Sequence, residues 1–192
     1  PLKDADVCLD LNSDAQCSED EEVYQSDELG FYNLPNVEAI EGVKPQVISI
    51  GGIDIVTGKN LENLALMATV PTDPTKKITI TPLSTLLSIS DDPDALVLGL
   101  GIDEGITADE LVELDPWLGT ESESQVTDEI STGLGLSVEE LDSVMEKSLT
   151  LSVQIANLIQ TADKAIPSTT EGNVQSVQDR ALMVTASVVK QV

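Results

Sequence analysis

The spacing of apolar positions changes once along the chain, from a period near two to a period near three and a half. Ala5-Asp6-Val7-Cys8-Leu9-Asp10-Leu11 alternates in a mostly β-like way, with successive side chains on opposite faces of a strand. Val23 to Pro35 reads as strand, turn, strand. Gln46–Ile50 predicts a short strand ended by Gly51-Gly52. Ile53-Asp54-Ile55-Val56 continues in β style up to the turn Thr57-Gly58-Lys59-Asn60. Leu64 to Val70 is a further apolar run closed by Pro71, and Ile78-Thr79-Ile80 predicts a last short strand.

Helical signals begin at Thr81-Pro82, where Thr81 fits an N-cap and Pro82 the first helical position. Asp92-Pro93 starts another short helix, ended near Gly99 or Gly101. Thr107 with Glu110 is a capping box, and Ile106 with Leu111 its hydrophobic staple. Thr120 with Glu123 starts a further helix ended at Gly133 or Gly135. Ser137 with Glu140 is a second box, stapled by Leu136 and Leu141. Apolar residues then recur at 138, 141, 144, 145, 151, 155, 158, 159 and 162, a long amphipathic helix stopped at Pro167. Val174, Val177, Ala181, Val184 and Val188 predict a last helix, of a length to form an antiparallel hairpin with the one before. The pattern therefore predicts an α+β protein, with a β region over 1–78 and a helical domain over 79–192.

Composition narrows the chemistry. At 192 residues and 41% hydrophobic content the chain can bury a real core, but only 2% is aromatic. Three of the four aromatics are Tyr24, Phe31 and Tyr32, so the remaining core must be aliphatic. The net charge is −26 and there is no histidine. Nucleic-acid binding needs a basic footprint, which is absent. An anionic membrane surface would repel the chain, and no apolar run reaches the ~20 residues of a bilayer span. Catalysis by Ser–His or Cys–His pairs is excluded, and among so many acids no carboxylate pair stands out. The expectation is that the chain is not an enzyme. Between 78 and 146 there are 17 acids and no Lys or Arg, most simply a solubility device. The sequence starts at Pro1 and shows no signal peptide. It reads as a processed product or excised fragment, so that absence does not argue for the cytoplasm.

Cys8 and Cys17 are nine residues apart, which is not a CxxC spacing. They leave two options open, a local disulfide or two buried thiols. The most informative stretch surrounds Cys17. Counted from Asp10, oxygen side chains fall at loop positions 1, 3, 5, 9 and 12: Asp10, Asn12, Asp14, Ser18 and Glu21. Gln16 at position 7 would offer its backbone carbonyl. This is the ligand spacing of an EF-hand calcium loop. Ca²⁺ takes ~6–8 oxygens, and alternate residues of a tight loop point inward. Position 6 is Ala15 rather than Gly, at a cost of about 1 kcal/mol if φ is positive there. An acidic solvated loop is the plainer reading; Asn12 and the strict alternation favour metal. The flanks are β-like, so the loop is expected to join strands rather than helices.

The segment carried by Val7, Leu9, Asp10, Asn12, Asp14, Glu21, Ser26, Asp27, Gly30, Tyr32 and Leu34 resembles the collagen-adhesin B-type, prealbumin-like repeats of bacterial surface proteins. The resemblance implies a Greek-key β-sandwich with a calcium loop. Exported versions carry cysteines where Cys8 and Cys17 stand, which implies a disulfide pinning the loop to its strand. The family often has Gly at the sixth loop position and Asp at the ninth; here they are Ala15 and Ser18. Gly51 to Gly58, Thr81 to Leu87 and Asp115-Pro116-Trp117 resemble stretches of large Gram-negative surface proteins. The expected role is a non-catalytic, calcium-stabilised structural or adhesion module of an exported surface protein or lipoprotein, at the extracellular face of a bacterium, beside neighbouring modules. The alternative is a glycan- or protein-binding module using the sandwich loops or the helical face. Some related adhesin repeats form Lys–Asn isopeptide bonds; Lys3 with Asn60 or Asn63 has no motif for one and is expected to be a solvated lysine. Asp54 is expected to cap its turn rather than bind metal.

Overall fold

The computed structural model describes residues 1–12, 17–34, 44–62, 64–71, 73, 76–102, 105–115 and 130–165. The fold class is α+β. Among the described residues six strands come first: β1 (Leu2–Lys3), β2 (Asp6–Asp10), β3 (Val23–Gln25), β4 (Gln46–Ile50), β5 (Ile53–Asp54) and β6 (Ala65–Thr69). Helices α1 (Pro82–Ser88), α2 (Pro93–Gly99) and α3 (Ala108–Glu113) follow. Then come α4, helical over 130–134, and the 28-residue α5 (Val138–Ala165).

The larger sheet is antiparallel, in the order β3-β2-β4-β6. β1 and β5 form a separate two-stranded ribbon. The chain turns from β4 into that ribbon through Gly51 and Gly52. Gly52 has φ +101°, and a Cβ there would lie 2.9 Å from the Cβ of Ala5. Only glycine suits both demands.

Pleating divides the sheet into two faces. Leu66 and Ala68 of β6 join one large aliphatic cluster with Leu83, Leu86 and Leu87 of α1, Val97 of α2, Leu111 and Val112 of α3, and Leu141 and Val144 of α5. Strand and helix regions therefore share this core. Among the described residues no aromatic side chain is buried in it. On the other face Cys8, Ile48 and Met67, three neighbours across β2, β4 and β6, form a second, smaller cluster.

The helices start where capping chemistry predicts. Thr81 Oγ1 accepts from the Ser84 amide at 2.9 Å with Pro82 in the first turn. Asp92 Oδ1 accepts from the Ala95 amide at 3.0 Å. The Thr107–Glu110 and Ser137–Glu140 boxes are both closed reciprocally. α2 ends at Gly99.

Ser84 and Thr85, both buried, turn their hydroxyls toward β6. The Met67 amide donates to Thr85 Oγ1 at 2.9 Å, and Ser84 Oγ donates to the Met67 carbonyl at 2.8 Å. Two hydroxyls thus take the place of a neighbouring strand at the edge of β6, which would otherwise present unpaired backbone groups.

Three predicted strands differ from the structure. Among the described residues Ile78–Ile80 pairs with no strand; the Thr79 amide donates instead to the Val112 carbonyl at 2.8 Å, and Ile78 and Ile80 pack on the helical core. Residues 31–34 form no strand, because the turn at Asp27 leads into a segment fixed by side-chain ties. β5 stops at Asp54, whose side chain turns the chain at Ile55 and Val56. Trp117, the Thr120–Glu123 start, the Pro167 stop and the Val174–Val188 stripe lie outside the described residues.

Candidate metal loop and its clasp

β2 ends at Asp10 and β3 begins at Val23, and the two strands pair antiparallel. The predicted loop therefore connects neighbouring strands. Asp10 is fully buried, opposite Gln46 of β4. A buried carboxylate is costly unless hydrogen bonds or cations compensate it; here Asp10 Oδ1 accepts from the Asn12 amide at 3.2 Å.

Glu21 closes the loop from its far end. Its Oε1 accepts from the Leu11 amide at 3.0 Å and its Oε2 from the Ser18 amide at 2.9 Å. The Glu21 amide donates to the Ser18 carbonyl at 3.0 Å, and Asn12 Nδ2 to Ser18 Oγ at 3.5 Å. Positions 1, 3, 9 and 12 of the predicted loop are thus drawn together at its root. Asp14 and Gln16 lie outside the described residues. Among the described residues, no group of three or more His, Cys, Asp or Glu side chains is arranged to hold a metal.

Cys8 and Cys17 form a disulfide, with Cα atoms 5.7 Å apart. Cys17 packs against the cluster of Cys8, Ile48 and Met67, so the bond draws the loop onto that face of the sheet. An all-oxygen donor set suits a hard cation. Both Glu21 oxygens serve backbone amides, but a carboxylate oxygen has a second lone pair and can accept again. The side chains that are described thus fit a calcium ion by chemistry.

Residues 26–32 act as a clasp at the opposite end of the β2–β3 hairpin from the loop, against the first residues of the chain. Ser26 Oγ donates to the Leu2 carbonyl at 2.8 Å and accepts from the Ala5 amide at 2.9 Å. Asp27 Oδ1 accepts from the Leu29 and Phe31 amides, each at 2.9 Å. Gly30, at φ +84°, lies so close to the first residues that a Cβ would meet the Pro1 Cβ at 2.9 Å. Tyr32 donates its hydroxyl to the Ile78 carbonyl at 2.6 Å, and burial raises its pKa. Each of these motif residues has a structural task visible in its contacts.

Other singled-out residues have plain partners. Lys3 Nζ meets Glu28 at 2.9 Å, and the hydrogen bond and charge of Glu28 raise the lysine pKa. Asn60 Nδ2 donates to Glu62 at 2.8 Å, while Asn63 lies outside the described residues. Asp54 takes the Val56 amide at 3.1 Å and the Thr57 hydroxyl at 2.5 Å. Burial opposes its ionisation, but the Thr57 hydroxyl, the Val56 amide, the charge of the Pro1 amine and the Thr57 amide together outweigh it and lower its pKa. It caps its turn. The edge-covering pair Ser84 and Thr85 went unpredicted, because a hydroxyl's distant partner leaves no periodic trace. The helix-start signal at Thr81 was the nearest clue.

No protein-family model, curated protein or solved structure matches this chain. No helix among the described residues is long and apolar enough to cross a membrane.

Proposed function

We propose that this chain is a non-catalytic, calcium-stabilised structural or adhesion module of an exported bacterial surface protein or lipoprotein. The observation that carries the reading is the root of the 10–21 loop. There Asp10, Asn12, Ser18 and Glu21 converge in the connection from β2 to β3, which a disulfide ties to β2. In this reading Asp14 and the Gln16 carbonyl complete the donor set. When bound, Ca²⁺ supplies positive charge to a crowded set of carboxylates. The chain's own groups do the rest: Glu21 holds the loop ends together, and the Cys8–Cys17 bond limits how far the loop opens.

The disulfide supports an oxidising compartment, which fits the extracellular location. The strand region then corresponds to a Greek-key sandwich of the collagen-adhesin B-type, and its partners are neighbouring modules rather than nucleic acid or membrane. Its role is mechanical. An ion that binds the native state and not the unfolded one raises stability in proportion to the logarithm of its free concentration.

The test is thermal unfolding of the chain in EDTA, then across a Ca²⁺ titration, with Mg²⁺ as the control. A rise in Tm that grows with the logarithm of free Ca²⁺, not matched by Mg²⁺ and lost in Glu21→Gln, is expected. No shift, or an equal one with Mg²⁺, removes the metal from the proposal.

A further inference from the structure

The buried stripe of α5 contains two positions that apolar periodicity passes over. Between Met145 and Ile155 the inward positions include Ser148 and Ser152, 3% and 7% exposed. Four residues apart, they share one face of the helix. Among the described residues neither hydroxyl has a hydrogen-bond partner. A helical serine can return its proton to the carbonyl one turn back, and these two do not. A buried hydroxyl without a partner is costly, and native proteins carry few of them.

Both serines border one cavity between α1, α3 and α5, together with Thr81 and Ser84. Leucines and Val112 supply the rest of its lining among the described residues, and the space is partly enclosed. The space open to the centre of a water molecule is about 10 Å³, and one bound water needs about 10–15 Å³ by that measure. That is room for one water. A buried water also needs about two to four polar partners. Ser148 and Ser152 supply two. Thr81 supplies a third: its oxygen accepts from the Ser84 amide at 2.9 Å, and its hydroxyl proton remains to be donated. Ser84 has its proton directed to the Met67 or Thr81 carbonyl and contributes less.

We infer that this cavity is a specific site for a single structural water, bridging Ser148 and Ser152 of α5 to the Thr81 cap of α1. The bridge gives a directional tie to a contact that is otherwise aliphatic, and so fixes the register of α5. It reaches the same helix turn whose Ser84 and Thr85 cover the edge of β6.

The test is thermal unfolding of the full chain with Ser148→Ala, Ser152→Ala and the double variant. Alanine is the better helix former, so in a dry cavity both substitutions raise Tm. With a bridging water, each single substitution lowers Tm by a few degrees. The double variant then falls by clearly less than the sum, because either change loosens the same molecule. A rise, no change or strict additivity overturns the inference. A crystal structure of the same chain gives a second readout. A solvent peak within about 2.7–3.2 Å of both hydroxyls is expected, and an empty cavity overturns the site whatever the melting data show.

Discussion

The two faces of the four-stranded sheet are held by different means. On one face, Leu66 and Ala68 enter an aliphatic cluster fed by α1, α2, α3 and α5. On the other, a small cluster of Cys8, Ile48 and Met67 is joined by a disulfide to a loop organised by hydrogen bonds. The first face depends on area, spread over many side chains at ~25 cal/mol per Å². The second concentrates its stability in a few directional bonds. Damage to the first should weaken the whole fold. Damage to the second should first loosen the loop, because few apolar contacts oppose local opening there.

The largest effect should come from the helical face. Leu141 is fully buried, and Leu141→Ala should cost about 2–5 kcal/mol in denaturant unfolding followed by far-UV circular dichroism. A cost under about 1 kcal/mol would mean α5 is not integral to the core.

Removing the disulfide by Cys8→Ala with Cys17→Ala comes next. A short closed loop gives roughly 2–3 kcal/mol by the chain-entropy relation. The expected signature is faster amide exchange at Leu11 and Ser18 than in the helices. Uniform loss of protection would merge the two faces into one unit and end the comparison.

Thr85→Val keeps the shape and deletes the acceptor of the Met67 amide. Leaving that buried donor unpaired should cost about 1–3 kcal/mol, and a neutral result would show the edge of β6 needs no cover.

Tyr32→Phe removes the hydroxyl donated to Ile78 and should cost about 1 kcal/mol. Burial raises the phenol pKa in the fold. Tyr32's contribution is therefore complete below the unfolded value near 10 and is lost as pH climbs past it. Unfolding scans between neutral and strongly alkaline pH should show a shallower decline for Tyr32→Phe; parallel curves would remove Tyr32 from the alkaline transition.

The smallest effect lies at the start of α5. The Ser137 amide, followed by its hydroxyl, lowers the pKa of Glu140. A lowered folded value means stability present above about pH 4.5, lost as pH falls through the folded pKa. The Tm gap between the natural chain and Ser137→Ala should narrow on acidification, and a gap that widens refutes the link.

The strands β2, β4 and β6 and the capped starts of α1, α2, α3 and α5 were legible in the sequence. Each follows from a local rule: alternation in β2, a short apolar run ended by glycine or proline in β4 and β6, or a hydroxyl or carboxylate three residues ahead of its amide at the helix starts. The last short strand, expected at Ile78–Ile80, does not form because β-branched residues describe a preference, while pairing depends on a neighbour. Here the neighbour is a carbonyl of α3. Asp10 and Glu21 were singled out by spacing, and the structure adds that Asp10 is buried and that Glu21 binds the amides at both ends of its loop.

By itself, the sequence determined the α+β order, the aliphatic nature of the core, the exclusion of histidine chemistry and the loop spacing that singles out an oxygen-donor site. These depend on composition and on neighbours a few residues apart. Tertiary structure alone decided that sheet and helices share one core, that Ser84 and Thr85 substitute for a strand, and that Ser148 and Ser152 are inside; it also shows the Cys8–Cys17 bond that the family resemblance implied. A hydroxyl or a thiol has no period of its own. Its meaning is set by the partner that the fold brings within about 3 Å.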